Sequence, residues 1–432
     1  GYLIAIIVCI FALVSAYKLS SVCIQKGYGV SVIAATILLN AIYEIYVFAR
    51  LVLVLAPRKI INSIKLFTFG SKCNNNSQRF IYAACIIVLI LALIMWVGSF
   101  AKKEEYKNIG VKAIKEGKTA ALLLAGGMGT RLGSDDPKGM YNIGETKDVF
   151  IFQRIVENLL DVVRETDTWI RLFVMTSEKN HEATVRFFEE KNYFGYKKER
   201  VLFFKQSMAP ACDREGKVYL EAKNRISTSP NGNAGWYSSM IRAGYDRVLR
   251  DEGIEWINVF AVDNVLQRIC DSCFIGATID AGVAVGAKVV KKAAPDEKVG
   301  VICLEDNRPS IVEYYEVSKE MMEEKDDNGD PAYYFGVILN YLFRVRDLDL
   351  VTDDKMPLHI VEKKIPYIDE DGNPVKPEAE NGYKFEQLVL DMIHELSTCL
   401  PYEVEREKEF APIKNRTGID SVESARALLH KN

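Results

Sequence analysis

The residues best suited to chemistry lie between Thr119 and Gly144, TAALLLAGGMGTRLGSDDPKGMYNIG. Ala120 to Ala125 is an apolar run that reads as a buried strand. It ends at once in Gly126, Gly127, Met128, Gly129, Thr130, Arg131, Leu132 and Gly133. Glycines admit positive φ and let a ligand approach the main chain closely. Successive free N–H groups in such a turn form an anion-binding concavity. Arg131 and Lys138 add fixed positive charge where a polyphosphate would lie. The spacing is neither GxGxxG nor GxxxxGK[ST], and taken alone the loop is equally an ordinary tight turn.

Three further groups carry chemistry less specifically. Ser229 to Gly235, SPNGNAG, contains Gly232 and Asn233 and precedes an expected helix. A helix N-terminus presents free N–H groups to anions and carbonyl oxygens; a plain loop and cap is the alternative. Asp263 closes the apolar run WINVFAV. A carboxylate at the end of a buried strand suits Mg²⁺ that also touches substrate phosphates, and it equally suits an Asx turn. Lys363 and Lys364 form an adjacent basic pair, ordinarily surface charge. The four histidines have no ligand-spaced partners, and no Ser/His/Asp set or paired-carboxylate signature occurs. Cys270 and Cys273 form one isolated CxxC, and nine scattered cysteines read as reduced thiols.

The glycine string followed by Pro137-Lys138-Gly139 resembles the signature of the UDP-sugar pyrophosphorylases, most closely the UDP-N-acetylglucosamine branch. Further strings follow in order: FFKQSMAP at 203–210, SPNGNAG, VDN at 262–264, GVILNY at 336–341, KKIPY at 363–367 and EREKEFAPIKN at 405–415. The resemblance covers roughly residues 119–429. It implies that Gly126, Gly127, Gly129 and Thr130 hold a triphosphate. Arg131 and Lys138 would then stabilise the leaving pyrophosphate, and Lys363 or Lys364 would lie near the α-phosphate. It implies Gln206 at the uracil edge, where an amide offers both a donor and an acceptor. Gly232 and Asn233 would hold the uridine, and Asp263 the metal, Mg²⁺ or Mn²⁺. Glu313 would bind sugar hydroxyls and Asn340 the N-acetylhexosamine. The EREKEFAPIKN segment is expected to pack back on the site. Ser207, Ala234, Val337 and Tyr341 depart from the family strings.

These residues need a scaffold. Ala120–Ala125, Ile170–Thr176, Val201–Phe204 and Trp256–Val262 read as strands. Phe150–Val163, Glu178–Glu190, Tyr237–Leu249 and Lys384–Leu396 read as helices. Three more strands are expected at Gly286–Val290, Val299–Val301 and Val312–Tyr314. The alternation predicts an α/β fold with a mixed, mostly parallel sheet and ligands at the carboxyl ends of its strands. The resemblance implies a GT-A-like, Rossmann-like nucleotidyltransferase.

The first hundred residues read differently. Phe80–Phe100 carries no charge, nor does Gly1–Tyr17, while Val30–Ala56 carries only Glu44 and Arg50. About twenty apolar residues span a bilayer as a helix. The expected organisation is two or three transmembrane helices over 1–100 and a charged linker or short surface helix over 101–118. A nucleotidyltransferase domain would follow over 119–432, giving a membrane-associated protein with its catalytic domain in the cytoplasm. Beginning with Gly1 rather than Met fits a fragment. A net charge of −3 gives no basic excess for nucleic acid.

The expected activity is transfer of uridylyl from UTP to an N-acetylhexosamine 1-phosphate. The alternatives are a glucose or galactose 1-phosphate enzyme and a membrane-anchored UDP-sugar-binding non-enzyme. The sequence leaves oligomeric state open.

Overall fold

The apolar runs become strands, and the first four make a parallel block. The computed structural model describes residues 101–326 and 329–432. In it β1 (Thr119–Leu124), β2 (Arg171–Thr176), β3 (Val201–Lys205) and β4 (Trp256–Ala261) lie in the order β4-β1-β2-β3, all parallel. β1 is buried throughout. It sends Ala121 and Leu123 to one face and Ala120, Leu122 and Leu124 to the other, each into its own apolar cluster. A strand covered on both faces is apolar continuously rather than alternately.

The rest of the sheet is of mixed direction. β5 (Val285–Lys291), β6 (Val301–Glu305), β7 (Arg308–Val312) and β8 (Phe335–Arg344) extend it beyond β4. β8 is antiparallel to β4, β5 and β6, and β6 to β7, so β8 and β7 run against the first four strands and β5 and β6 run with them. The sheet is therefore mixed, with its parallel character concentrated in the glycine-loop half. One cause is local. Asp306 and Asn307, at φ 50° and 62°, join β6 to β7 in a two-residue hairpin, and paired positive-φ residues match strand twist in such turns. β7 ends at Val312, so Glu313 lies just past the strand.

Helices cover the faces. Residues 105–115 form α1, which buries Ile114 in the core. Gly110 lies so close to the carbonyl of Ser272 that no Cβ would fit. α2 (Ile151–Thr166) and α3 (His181–Glu190) pack on the same side. Tyr237–Leu249 is not one helix. Gly244 takes φ +78° and separates Trp236–Arg242 from Asp246–Asp251.

The stretch from Lys384 to Leu396 is likewise split. Its first part is β10 (Gly382–Glu386), paired with β9 (His359–Lys363), and only Val389–Leu396 is helical. Val389, Met392, Ile393 and Leu396 are its buried stripe. Phe385, which extended that stripe in the sequence, pairs with Ile360 as a strand residue instead.

The expectation of an all-α transmembrane segment and a membrane-associated location is corrected. Among the described residues no helix is long and apolar enough to cross a membrane. The 16-residue α2 carries Arg154, Glu157, Asp161, Arg164 and Glu165 on turns that face away from its buried stripe. The spans expected over residues 1–100, and the bilayer contact they implied, lie outside the described residues.

Candidate active site

The glycine turn leaves the carboxyl end of β1 and is braced across its neck. Gly129 N–H donates to Asp136 O at 2.8 Å and Lys138 N–H to Gly127 O at 3.1 Å. These bonds fold residues 126–138 into a closed loop, which brings Lys138 back beside Arg131. Burial pushes the half-buried Lys138 ammonium below the ordinary lysine range; Asp263 opposes this, while Arg131 and Lys414 add to it. Arg131, Asp263 and Lys414 thus each lie within electrostatic reach of Lys138, and the Lys414 ammonium itself pairs with Asp420 Oδ2 at 3.0 Å.

Asp263 approaches Lys138 from the end of β4. Its carbonyl accepts Ile413 N–H at 2.9 Å. Next to it Asn264 is buried, donating to Glu409 O at 2.7 Å and accepting from Ala411 N–H at 2.9 Å. The EREKEFAPIKN segment therefore packs back on the VDN loop, and this docking delivers Lys414. Beneath it the wholly buried Lys288 donates to Glu409 Oε2 at 2.6 Å, Asp271 Oδ2 at 3.3 Å and Arg268 O at 3.1 Å. A buried ammonium needs such partners to offset its desolvation.

Gln206 follows β3 and is buried against the glycine loop. A Cβ added at Gly126 would stand 2.5 Å from Gln206 Nε2. Gly126 is thus the residue that admits this amide. Gly232 takes φ +91°, and its Cα lies against the backbone of Gln387, where a side chain has no room. Asn233 Oδ1 accepts Val389 N–H at 2.8 Å, so it satisfies the first amide of the Val389–Leu396 helix. Thr130 is exposed and begins a short turn that Gly133 closes at φ +78°.

The other expected site residues lie apart from Lys138 and its charged neighbours or are used differently. Lys363 and Lys364 are exposed at the end of β9. Lys363 lies on the same face of the β9–β10 pair as Lys384, diagonally across the two strands. Burial depresses the Lys384 ammonium, and Lys179 and Lys363 add to this while Glu386 opposes it. These three lysines make a second basic group. Glu313 is half-buried, and burial raises its carboxyl above the ordinary range, with Glu316 and Asp391 adding to this and Lys414 among its opposing neighbours. Lys414 is thus a charged neighbour of both Glu313 and Lys138. Asn340 is fully buried. It accepts from Asn258 Nδ2 at 2.8 Å and donates to Gln267 Oε1 and Arg268 O, both at 3.3 Å.

The model of the family described as UTP–glucose-1-phosphate uridylyltransferase matches residues 99–432. The chain belongs to this family. It is similar to mouse UDP-N-acetylhexosamine pyrophosphorylase-like protein 1, 40% identical over 319 residues, which cover 72% of this chain and 63% of that protein. It is 39% identical over 335 residues to Saccharomyces cerevisiae UDP-N-acetylglucosamine pyrophosphorylase, covering 74% of this chain and 70% of the relative. The chain thus spans less than two thirds of the mouse relative's length. Among solved structures, the Trypanosoma brucei uridine diphosphate N-acetylglucosamine pyrophosphorylase in complex with inhibitor superposes with a TM-score of 0.69. That match is 29% identical and covers 77% of this chain and 68% of that one.

Two positions in this family member escaped the sequence reading. Lys414 was visible as the last lysine of EREKEFAPIKN, but only folding brings it to Lys138. Asn180 lies outside every family string quoted above, yet its side chain touches the glycine loop. A polar residue just after a buried strand and before a helix was the available signal.

Proposed function

We propose that the chain transfers the uridylyl group of UTP to an N-acetylhexosamine 1-phosphate and releases pyrophosphate. The observation that best supports this is that Arg131, Lys414 and Asp263 all lie within electrostatic reach of Lys138 beside a glycine-rich loop. That loop and Asp263 stand at the carboxyl ends of two adjacent parallel strands, where ligands bind in such sheets. In this reading a sugar phosphate oxygen attacks the α-phosphorus of UTP, the bond to the bridging oxygen breaks, and pyrophosphate leaves in line.

Such chemistry needs positioning and charge neutralisation rather than a covalent protein nucleophile. Loop amides at Gly126 and Gly127 would cradle the phosphates, with Thr130 at the rim, while the Gly129 amide, bonded to Asp136 O, would hold the loop's shape. Arg131 and Lys138 would stabilise negative charge on the departing pyrophosphate. Gln206 and the Gly232–Asn233 turn would fix the uridine. Glu313 would take sugar hydroxyls. Lys363, which shares a face with Lys384, is favoured over Lys364 for the α-phosphate.

The donor set fits a divalent ion shared with substrate. Mg²⁺ is commonly held by one or two carboxylates together with substrate phosphates. Asp263 supplies one such carboxylate, and among the described residues no group of three or more His, Cys, Asp or Glu forms a site of its own. When bound there, the ion would neutralise phosphate charge.

A second reading takes glucose or galactose 1-phosphate as acceptor. It is favoured by Val337 and Tyr341, which depart from the family string in the strand expected to meet the sugar.

The deciding experiment is pyrophosphate release by the full chain with UTP and Mg²⁺. The N-acetylglucosamine, N-acetylgalactosamine, glucose and galactose 1-phosphates would be offered side by side. Release with the N-acetyl sugars is expected. Release with the simple hexoses alone would favour the second reading. No release despite UDP-sugar binding would leave a non-catalytic binder.

A further inference from the structure

A glycine loop cradles an anion only while its carbonyls are turned away from it. Something must hold them. Asn180 is wholly buried at the head of α3. An asparagine there ordinarily caps the helix with its side-chain oxygen, but this one makes no such bond. Its Oδ1 instead accepts Ser177 N–H at 2.8 Å, which fixes the amide plane. Its Nδ2 donates to Ala125 O at 2.9 Å and Gly127 O at 3.3 Å. An amide nitrogen carries two donors, one for each carbonyl.

The peptide unit is planar and trans, so a carbonyl and the following N–H point in opposite directions. Holding Ala125 O and Gly127 O therefore aims the N–H groups of Gly126 and Met128 away from Asn180. Gly127 O also accepts Lys138 N–H, so the same clamp reaches the backbone of the half-buried lysine. We propose that Asn180 is a positioning residue of the phosphate cradle, locking the loop amides and Lys138 in register for a nucleoside triphosphate. The choice of ligand rests on the uridylyl-transfer reading; the clamp itself does not.

The test uses the full chain with Asn180→Ala, and Asn180→Ser should the first variant fail to fold. Both remove the two-donor amide without adding charge. Amide hydrogen exchange in residues 125–130, measured without nucleotide, should quicken by about tenfold or more. Unchanged exchange there would overturn the clamp whatever the enzyme's reaction. Affinity for UTP and for uridine is then measured separately. UTP binding should weaken by about tenfold while uridine binding stays within about twofold, the scale of a lost buried hydrogen bond. Equal weakening of both, or no weakening of UTP, would show that Asn180 supports only the fold. Pyrophosphate release by the unaltered protein judges the uridylyl-transfer reading independently.

Discussion

The two ends of the candidate site are built by opposite means. At the glycine loop, backbone amides, Arg131 and Lys138 lie on the loop that follows β1, and Asp263 on the loop that follows the parallel β4. The first loop's geometry is set by short-range bonds such as Gly129 to Asp136 and Lys138 to Gly127. At the other end the antiparallel β8 carries a bulge. Ala287 pairs with Tyr341 and Val289 with Val337, so one residue of β5 faces three of β8, and Leu339 takes φ 51°. Bulges re-aim side chains. Here the bulge turns Asn340 into a buried amide network with Asn258 and Gln267. The glycine loop's own shape is thus set locally, while Asp263 and Lys414 are brought to it from distant segments. The strand expected to recognise the sugar spends its polar side chain on holding the sheet to the 264–270 loop.

If that contrast is right, the charged end should be most vulnerable where distant segments hold it together. Lys288→Met takes the cation from the buried Glu409 and from the partly buried Asp271. The expected loss is about 3–5 kcal/mol of stability, read from the denaturant midpoint. Adding Glu409→Gln should restore part of it. An unchanged midpoint would mean that the 409–414 segment docks without this ion pair. Next in size is Lys138→Ala. Turnover should fall by roughly a hundredfold or more, as for loss of a preorganised charge donor, while UTP affinity changes far less. Unaltered kcat would remove Lys138 from the reacting end.

The same contrast decides what the sequence could reveal. β1 was legible because a strand buried on both faces is an unbroken apolar run, and β2 to β4 because their runs are nearly unbroken. The glycine loop was legible because its turn needs glycine at named positions, Gly126 against Gln206 and Gly133 at φ +78°. The approach of Lys414 to Lys138 was not, because it depends on long-range bonds between residues 263–265 and residues 409–413. Periodicity also misread Lys384–Leu396. Phe385 and Leu388 continue a helical stripe, but pairing of Val361 with Lys384 and the bond from Gln387 N–H to Asn231 O hold that half extended. Tertiary pairing overrode local pattern there, whereas at Gly244 a local positive φ breaks the helix expected over Tyr237–Leu249.

Asn340→Ala probes the sugar end directly. Removing its side chain takes a partner from Asn258 and another from Gln267, both buried. The expected cost is about 1–3 kcal/mol, seen as a lower Tm, with KM for the sugar 1-phosphate within about twofold of the unaltered protein. A raised KM at unchanged Tm would put Asn340 against the sugar and erase the contrast drawn above.

The smallest effect belongs to Glu313→Gln. Burial raises this carboxyl above the ordinary glutamate range, so as pH falls it takes up its proton earlier than an exposed glutamate would. Charged carboxylates accept hydroxyl hydrogen bonds more strongly than neutral amides. Above its pKa the unaltered protein should therefore bind the sugar 1-phosphate more tightly than the variant, by about fivefold. Below it the two should converge. Comparing the two proteins at each pH cancels the titration of the sugar phosphate itself. Stability must move the other way. A raised folded-state pKa means the folded chain holds the proton more tightly than the unfolded one, so the charge costs stability at neutral pH. Glu313→Gln should leave the Tm at neutral pH unchanged or raise it. A lower Tm, with no pH-dependent difference in KM, would mean that Glu313 serves the fold, as Asn340 does.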